Sequence, residues 1–191
     1  IQTKVAGISL EHPLMNAAGT CKLLEDAEKL ARSASAAIVV GSITVEPRAG
    51  NSGNVYHTEP MFSLNSLGLP NPGAQYYKKI IPEMAAIAHR AGKPLFVSVA
   101  GFTPEEYANL ADLAFSGGAD LVELNLGCPN IWHKEMQKRI VCFDPILVAE
   151  VLRQVEIKVG PDAKVSAKFS PFSDPFALAE LAKTIAAFQA V

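Results

Sequence analysis

The stretch Asp120-Leu121-Val122-Glu123-Leu124-Asn125-Leu126-Gly127-Cys128-Pro129-Asn130 decides the fold of this chain. Along an extended strand, successive side chains point to opposite faces. Val122, Leu124 and Leu126 then share one face, and Glu123 and Asn125 share the other. Residues 165–170 repeat the division, with Val165, Ala167 and Phe169 on one face and Ser166, Lys168 and Ser170 on the other. A strand with one apolar and one polar face suits a barrel whose outside packs on helices and whose mouth holds a polar site. Buried strands of an open parallel sheet would be apolar on both faces.

Outward from this stretch, apolar runs of strand length alternate with segments of helical period. Strands are expected at 14–17, 37–44, 95–99, 121–125 and 165–169, and helices near 23–33, 74–91, 104–116, 145–159 and 175–190. Thr103 with Glu106 reads as a capping box, with Pro104 at the first helical position. Asp144-Pro145 and Asp174-Pro175 repeat the cap-then-proline pattern. Strand–helix–strand repetition implies parallel strands with right-handed crossovers. The expected fold class is therefore α/β, a (β/α)8 barrel with about five of its eight strands in this chain. Residues 1–191 read as one partial barrel domain, with a hairpin-like insertion around 46–64.

Composition excludes several classes. With 49% hydrophobic and 19% charged residues, the 191-residue chain is globular rather than disordered. A net charge of −2 marks out no nucleic-acid or anionic-membrane partner, and Lys134, Lys138 and Arg139 form its one dense basic patch. Three widely spaced cysteines read as reduced thiols of a cytoplasmic protein. No apolar run approaches the roughly 18 residues of a membrane span. The chain opens on Ile1 with neither an initiator Met nor a signal-peptide pattern, and reads as a segment.

In a barrel, active sites lie on the loops that follow strands. Cys128 is such a residue, fixed by Pro129 and flanked by Asn125 and Asn130. It could serve as a general base, a nucleophile, a metal ligand or a small buried hydrophobe. No second Cys or His stands at ligand spacing, so no metal is expected. The two asparagines could hydrogen-bond the amide edges of a planar heterocycle. Lys168, near the end of the last strand, would be costly inside a barrel without an anionic neighbour. It reads either as an ion-pair partner of Glu123 or as a cation that stabilises charge developing on a cofactor or substrate. Residues 63–73, with two amides, two glycines and two prolines, form either a plain turn or a rigid loop that brings backbone N–H groups to a ligand. The small residues of 16–19 would let a flat ring approach the backbone.

Leu-Asn-Leu-Gly-Cys-Pro-Asn at 124–130 resembles the active-site segment of class 1 dihydroorotate dehydrogenases, and Asn-Ser-Leu-Gly-Leu-Pro-Asn at 65–71 resembles their substrate loop. Asn-Ala-Ala-Gly at 16–19 and Ala-Lys-Phe-Ser-Pro at 167–171 are similar to two flavin-contact segments of that family. The motifs occur in the family's order over nearly the whole chain. The resemblance implies oxidation of dihydroorotate to orotate in pyrimidine biosynthesis by an FMN-dependent homodimer. It implies Cys128 as the base that removes the C5 proton while hydride leaves C6 for the flavin. Asn65, Leu67, Gly68, Leu69, Asn125 and Asn130 would bind the substrate; Ala17, Ala18, Gly19, Ser42, Ser98, Asn125 and Lys168 would contact the flavin. Two departures stand out. The family carries a lysine where this chain has Gly41, and residues 131–142 do not resemble the active-site loop of the fumarate-using subclass. The family's flavin-phosphate site follows strands seven and eight, so residues 1–191 alone are not expected to turn over. A related flavoprotein acting on another dihydropyrimidine, and a non-catalytic partial barrel that serves as an interaction partner, remain as alternatives.

Overall fold

The structure, a computed structural model, describes residues 1–129, 131–133, 136–137 and 140–191. Strands β1 (Thr3–Val5) and β2 (Ile8–Leu10) form an antiparallel hairpin. They are followed by α1 (Leu24–Ala31), β3 (Ile38–Ile43) and a second hairpin of β4 (Tyr56–Glu59) with β5 (Phe62–Asn65). Next come α2 (Ala74–Arg90), β6 (Leu95–Val99), α3 (Pro104–Ser116) and β7 (Leu121–Asn125). A two-residue antiparallel pair, β8 (Trp132–His133) with β9 (Met136–Gln137), precedes one 3-10 turn (Val141–Phe143), α4 (Pro145–Val159), β10 (Val165–Lys168) and α5 (Pro175–Ala186).

Strands β3, β6, β7 and β10 form one parallel sheet in which neighbours in the chain are neighbours in space. A doubly wound sheet would reverse its strand order at a switch point. The uninterrupted order is that of a barrel wall, and the chain is a partial (β/α)8 barrel. Helix starts follow the local chemistry: Thr103 Oγ1 accepts from Glu106 N–H at 3.3 Å and Asp144 Oδ1 from Leu147 N–H at 3.1 Å. The Glu106 carboxylate reaches past the cap residue to Phe102 N–H, at 2.6 Å.

The expected strand at 14–17 is not one. This segment carries no strand hydrogen bonding of its own and meets β3 through a side chain. Asn16 Nδ2 donates to Val39 O, and Asn16 Oδ1 accepts from Val39 N–H, both at 2.8 Å. An asparagine amide presents the same donor and acceptor as a peptide unit, so it substitutes for one rung of a ladder. Further along, Gly19 N–H donates to Gly41 O, and Gly41 N–H to Cys21 O at 3.0 Å. The N-terminal hairpin has no counterpart in the sequence expectation, because three-residue strands are too short to show a period.

The two faces of the sheet differ as the alternation requires. Ile38, Val40, Leu95, Val97, Val122, Leu124 and Val165 pack outward in one core with helix residues such as Tyr77, Met84, Leu110, Val151 and Leu181. Burying each aliphatic side chain contributes about 1.5–3 kcal/mol. The inward residues Val39, Phe96 and Leu121 form a smaller cluster with Leu10, against which Val5 and Ile8 pack, so the hairpin plugs the N-terminal end of the wall. Among the described residues, no helix is long and apolar enough to cross a membrane.

Asn16→Ala removes both side-chain bonds to Val39 and leaves two partly buried backbone groups unpaired. At about 1 kcal/mol for each net hydrogen bond, it should lower the unfolding free energy by about 2 kcal/mol in a urea titration. An unchanged midpoint would show that the 14–17 segment is held by other means.

Candidate active site at the C-terminal strand ends

The inner face turns polar toward the C-terminal ends of the strands. Ser42 of β3, Ser98 of β6 and Asn125 of β7 are all buried there. Asn125 Nδ2 donates to Ser42 Oγ at 2.9 Å, and Ser42 Oγ lies 2.8 Å from Ser98 Oγ. Tyr107 of α3 donates its hydroxyl to Asn125 O at 2.8 Å, and burial pushes that hydroxyl well above the ordinary tyrosine value. Three strands and a helix thus fix the residue from which the Cys128 loop departs.

Gly127 sets where the loop goes. A Cβ on Gly127 would overlap the Ser170 amide nitrogen and sit 2.6 Å from the Phe169 carbonyl carbon. Glycine is what lets the ends of β7 and β10 come this close. Leu126 N–H donates to Lys168 O at 2.9 Å, and Ser170 Oγ donates to Gly127 O. Cys128 and Lys168 therefore stand on adjacent strand ends. The Lys168 ammonium is paired with Glu123 on the inner face, so the ion-pair reading of that lysine holds. An ammonium has three donors, and with 44% of its side chain exposed Lys168 keeps donors for a ligand.

The 65–71 loop faces Cys128 from the other side. Asn71, which sequence reasoning did not single out, anchors it. Its backbone exchanges two hydrogen bonds with Arg48, at 2.8 and 2.9 Å, and its side chain bonds Thr44, Leu69 and Gly73. Between this loop and Cys128 lies a cleft of about 230 Å³ that brings together Ala18, Gly19, Ser42, Asn65, Leu67, Gly68, Leu69 and Cys128. Thr20, Lys22 and Pro70 complete its lining. A second cavity, of about 370 Å³, occupies the inner face of the wall and is lined by Ala17, Ala18, Glu123, Ser166 and Lys168. Ala18 borders both. The loop carrying these alanines is held by Asn16 and by Thr20, whose hydroxyl donates to Ala17 O at 2.7 Å.

The structure adds placement to several expected site residues. Ser98, expected at the flavin by resemblance, is 0% exposed, and its hydroxyl meets Ser42, which lines the cleft. Asn130 lies outside the described residues, as do Lys134, Lys138 and Arg139. Gly41 is no vacancy for a lysine: its φ is 109°, and a Cβ would overlap the Ser98 carbonyl oxygen. Asn125, placed with flavin and substrate contacts by resemblance, is only 6% exposed and spends one amide donor on Ser42. Tyr107 could have been suspected only from its buried helical position, and Lys22 only from following the 16–19 segment. No cluster of three metal-ligating side chains occurs among the described residues.

Gly41→Ala forces a side chain into a left-handed backbone against a carbonyl, and should cost about 2–4 kcal/mol of unfolding free energy. Gly41→Lys should be no better tolerated; a lysine variant of wild-type melting temperature would refute the close approach. The cysteines differ too. Cys21 is buried, and desolvation with help from Asp26 pushes its thiol up to about 12, while Cys142 is buried as well. At pH 8, iodoacetamide should label Cys128 well before either, as read by peptide mass.

The sequence profile described as dihydroorotate dehydrogenase, a flavin-using family of barrels, matches residues 1–189. A putative dihydroorotate dehydrogenase A (fumarate) of Streptococcus uberis is 38% identical over 131 residues, 68% of this chain and 42% of that protein. The dihydroorotate dehydrogenase (fumarate) of Trypanosoma cruzi is 37% identical over 168 residues, 85% of this chain and 50% of that protein. A dihydroorotate dehydrogenase B (NAD(+)), catalytic subunit, of Thermoplasma acidophilum is 35% identical over 192 residues, 98% of this chain and 60% of that protein. The chain spans about half the length of these relatives. With the profile matched over nearly its whole length, the chain belongs to the dihydroorotate dehydrogenase family.

Proposed function

We propose that the protein carrying this chain oxidises dihydroorotate to orotate with FMN, as a cytoplasmic homodimer in pyrimidine biosynthesis. The observation that carries the reading is the cleft in which Cys128 faces the 65–70 loop across Ala18 and Gly19. The residues fit a flavin. Ala17 and Ala18 offer only methyl groups, a Cβ at Gly19 would meet nothing within 4 Å, and Lys168 brings a cation to the adjoining cavity. A bound flavin supplies the acceptor for the hydride that leaves C6 of the substrate. Cys128, as thiolate, takes the C5 proton, and the electron pair of that C–H bond becomes the new ring double bond. Asn65 offers amide groups to the ring's edges, and Gly68 and Leu69 close over them. Asn125, held by Ser42 and Tyr107, adds its remaining amide valences from below.

Gly41 favours one second reading, a flavoprotein for another dihydropyrimidine, because the position where the family has a lysine admits no side chain. Visible absorbance of the purified protein separates the two. Dihydroorotate should bleach the flavin anaerobically, whereas bleaching by dihydrouracil alone would select the second reading, and a colourless protein would sink both. A positioned base contributes about 10²–10⁴-fold. Cys128→Ala should slow flavin reduction within about that range at unchanged flavin content, and Cys128→Ser should keep part of the rate, most visibly at high pH. Reduction of the alanine variant at the wild-type rate would place the base elsewhere.

A further inference from the structure

Charge is distributed unevenly around the cleft. Its polar lining is almost all neutral, made of hydroxyls and amides from Thr20, Ser42 and Asn65. Lys22 is the one charged residue among its described lining. The main chain at Lys22 is fixed: its N–H and that of Leu23 donate to Asp26 Oδ2 at 3.0 and 2.9 Å. Those two bonds hold the Asp26 carboxyl below its usual range and use that oxygen on backbone groups. Among the described residues, no hydrogen bond or ion pair engages the Lys22 ammonium. Burial pulls this ammonium below the ordinary lysine value, with Asp26 opposing in part. A partly desolvated cation whose nearby carboxylate is bonded to backbone N–H groups and makes no ion pair with it remains under-compensated, and an anion entering the cleft relieves it. The Gly41 position adds no side chain to the cleft floor, so no second cation competes there.

We propose that Lys22 is the specificity-determining cation of the cleft, receiving the carboxylate of a planar heterocyclic acid whose ring lies against Cys128. This rests on the functional reading above and deepens it: among dihydropyrimidines, the acid is preferred to the neutral ring because only the acid pairs with Lys22. The pair is a charge-assisted hydrogen bond, stronger than the neutral bonds that Asn65 and Ser42 make to any ring.

Two measurements on the purified flavin-loaded protein test it. In the first, Cys128 is alkylated in parallel with iodoacetate and iodoacetamide and followed by peptide mass. Both reagents attack the same thiolate, so the ratio of their rates cancels its ionisation and reports the charge facing the incoming group. Lys22→Met, and equally Lys22→Gln, should lower the iodoacetate-to-iodoacetamide ratio by about fivefold to tenfold, while Lys22→Arg keeps it. The iodoacetamide rate, and continued protection of Cys21 and Cys142, verify folding. In the second, orotate and uracil are titrated by perturbation of the flavin spectrum. Lys22→Met should weaken orotate by about tenfold to a hundredfold and leave uracil unchanged. A ratio that falls while orotate fails to bind wild-type protein overturns the dihydroorotate reading and keeps Lys22 as the anion site. A ratio unchanged in both neutral variants overturns Lys22, whichever ring binds.

Discussion

The hydrogen bond from Asn125 to Ser42 and the one between the Ser42 and Ser98 hydroxyls are the constraint on which the site depends. Each group is buried, and an unpaired buried hydroxyl or amide costs about 1–3 kcal/mol. The three strand ends are therefore held in one relative position by the requirement that all three side chains be satisfied. Two of the three also govern the cleft: Ser42 lines it, and Asn125 stands three residues before Cys128. Tyr107 extends the same line to α3, so a shift of that helix would be felt at the Cys128 loop. Placement of Cys128 is thus a property of the barrel wall rather than of the loop alone.

Much of this architecture was legible in the sequence because it obeys a period. The alternation in β7 and β10 fixed which side chains face outward, and Val122 and Leu124 are in the helix-packed core while Glu123 and Lys168 pair on the inner face. Proline after an acidic or hydroxyl cap marked three helix starts, and Asp144 and Thr103 make the expected bonds. What escaped has no period. Residues 14–17 satisfy strand composition, yet they join β3 through the Asn16 side chain, a bond that no pattern of hydrophobicity encodes. The clamp at Asn71 escaped for a similar reason, since its partners Thr44 and Arg48 lie more than twenty residues away in the chain.

Gly41 and Gly127 show why a motif needs its backbone. By sequence, Gly41 looks like a deletion of charge, a place where a side chain has been lost. In the structure its backbone is left-handed and its α-carbon abuts the Ser98 carbonyl, so the surroundings are shaped for glycine. The charge cannot be restored at that position without moving β6. Gly127 is the converse case. It sits inside the most recognisable segment of the chain, and its role is to let Phe169 and Ser170 approach the Cys128 loop. One glycine closes a position to chemistry and the other brings two chemical groups together.

A gradient along the strands explains how one wall serves both stability and chemistry. At the N-terminal end the inward residues are Val39, Phe96 and Leu121, covered by the β1–β2 hairpin. One step toward the C-terminal end they are Ser98 and Glu123, then Ser42, Asn125 and Lys168. The apolar end gains from burial and needs no partner, so a short hairpin of Val5, Ile8 and Leu10 suffices to close it. The polar end must satisfy each group, and it does so partly within the wall, through the Ser42 line and the Glu123–Lys168 pair. The remaining capacity faces the two cavities: Lys168 keeps donors in the inner one, and Lys22 and Cys128 both line the cleft between the 16–20 loop and the 65–70 loop. Polar capacity is thereby concentrated where a ligand can reach it, because Ser98, buried behind Ser42, is already paired within the wall and gains little from a ligand.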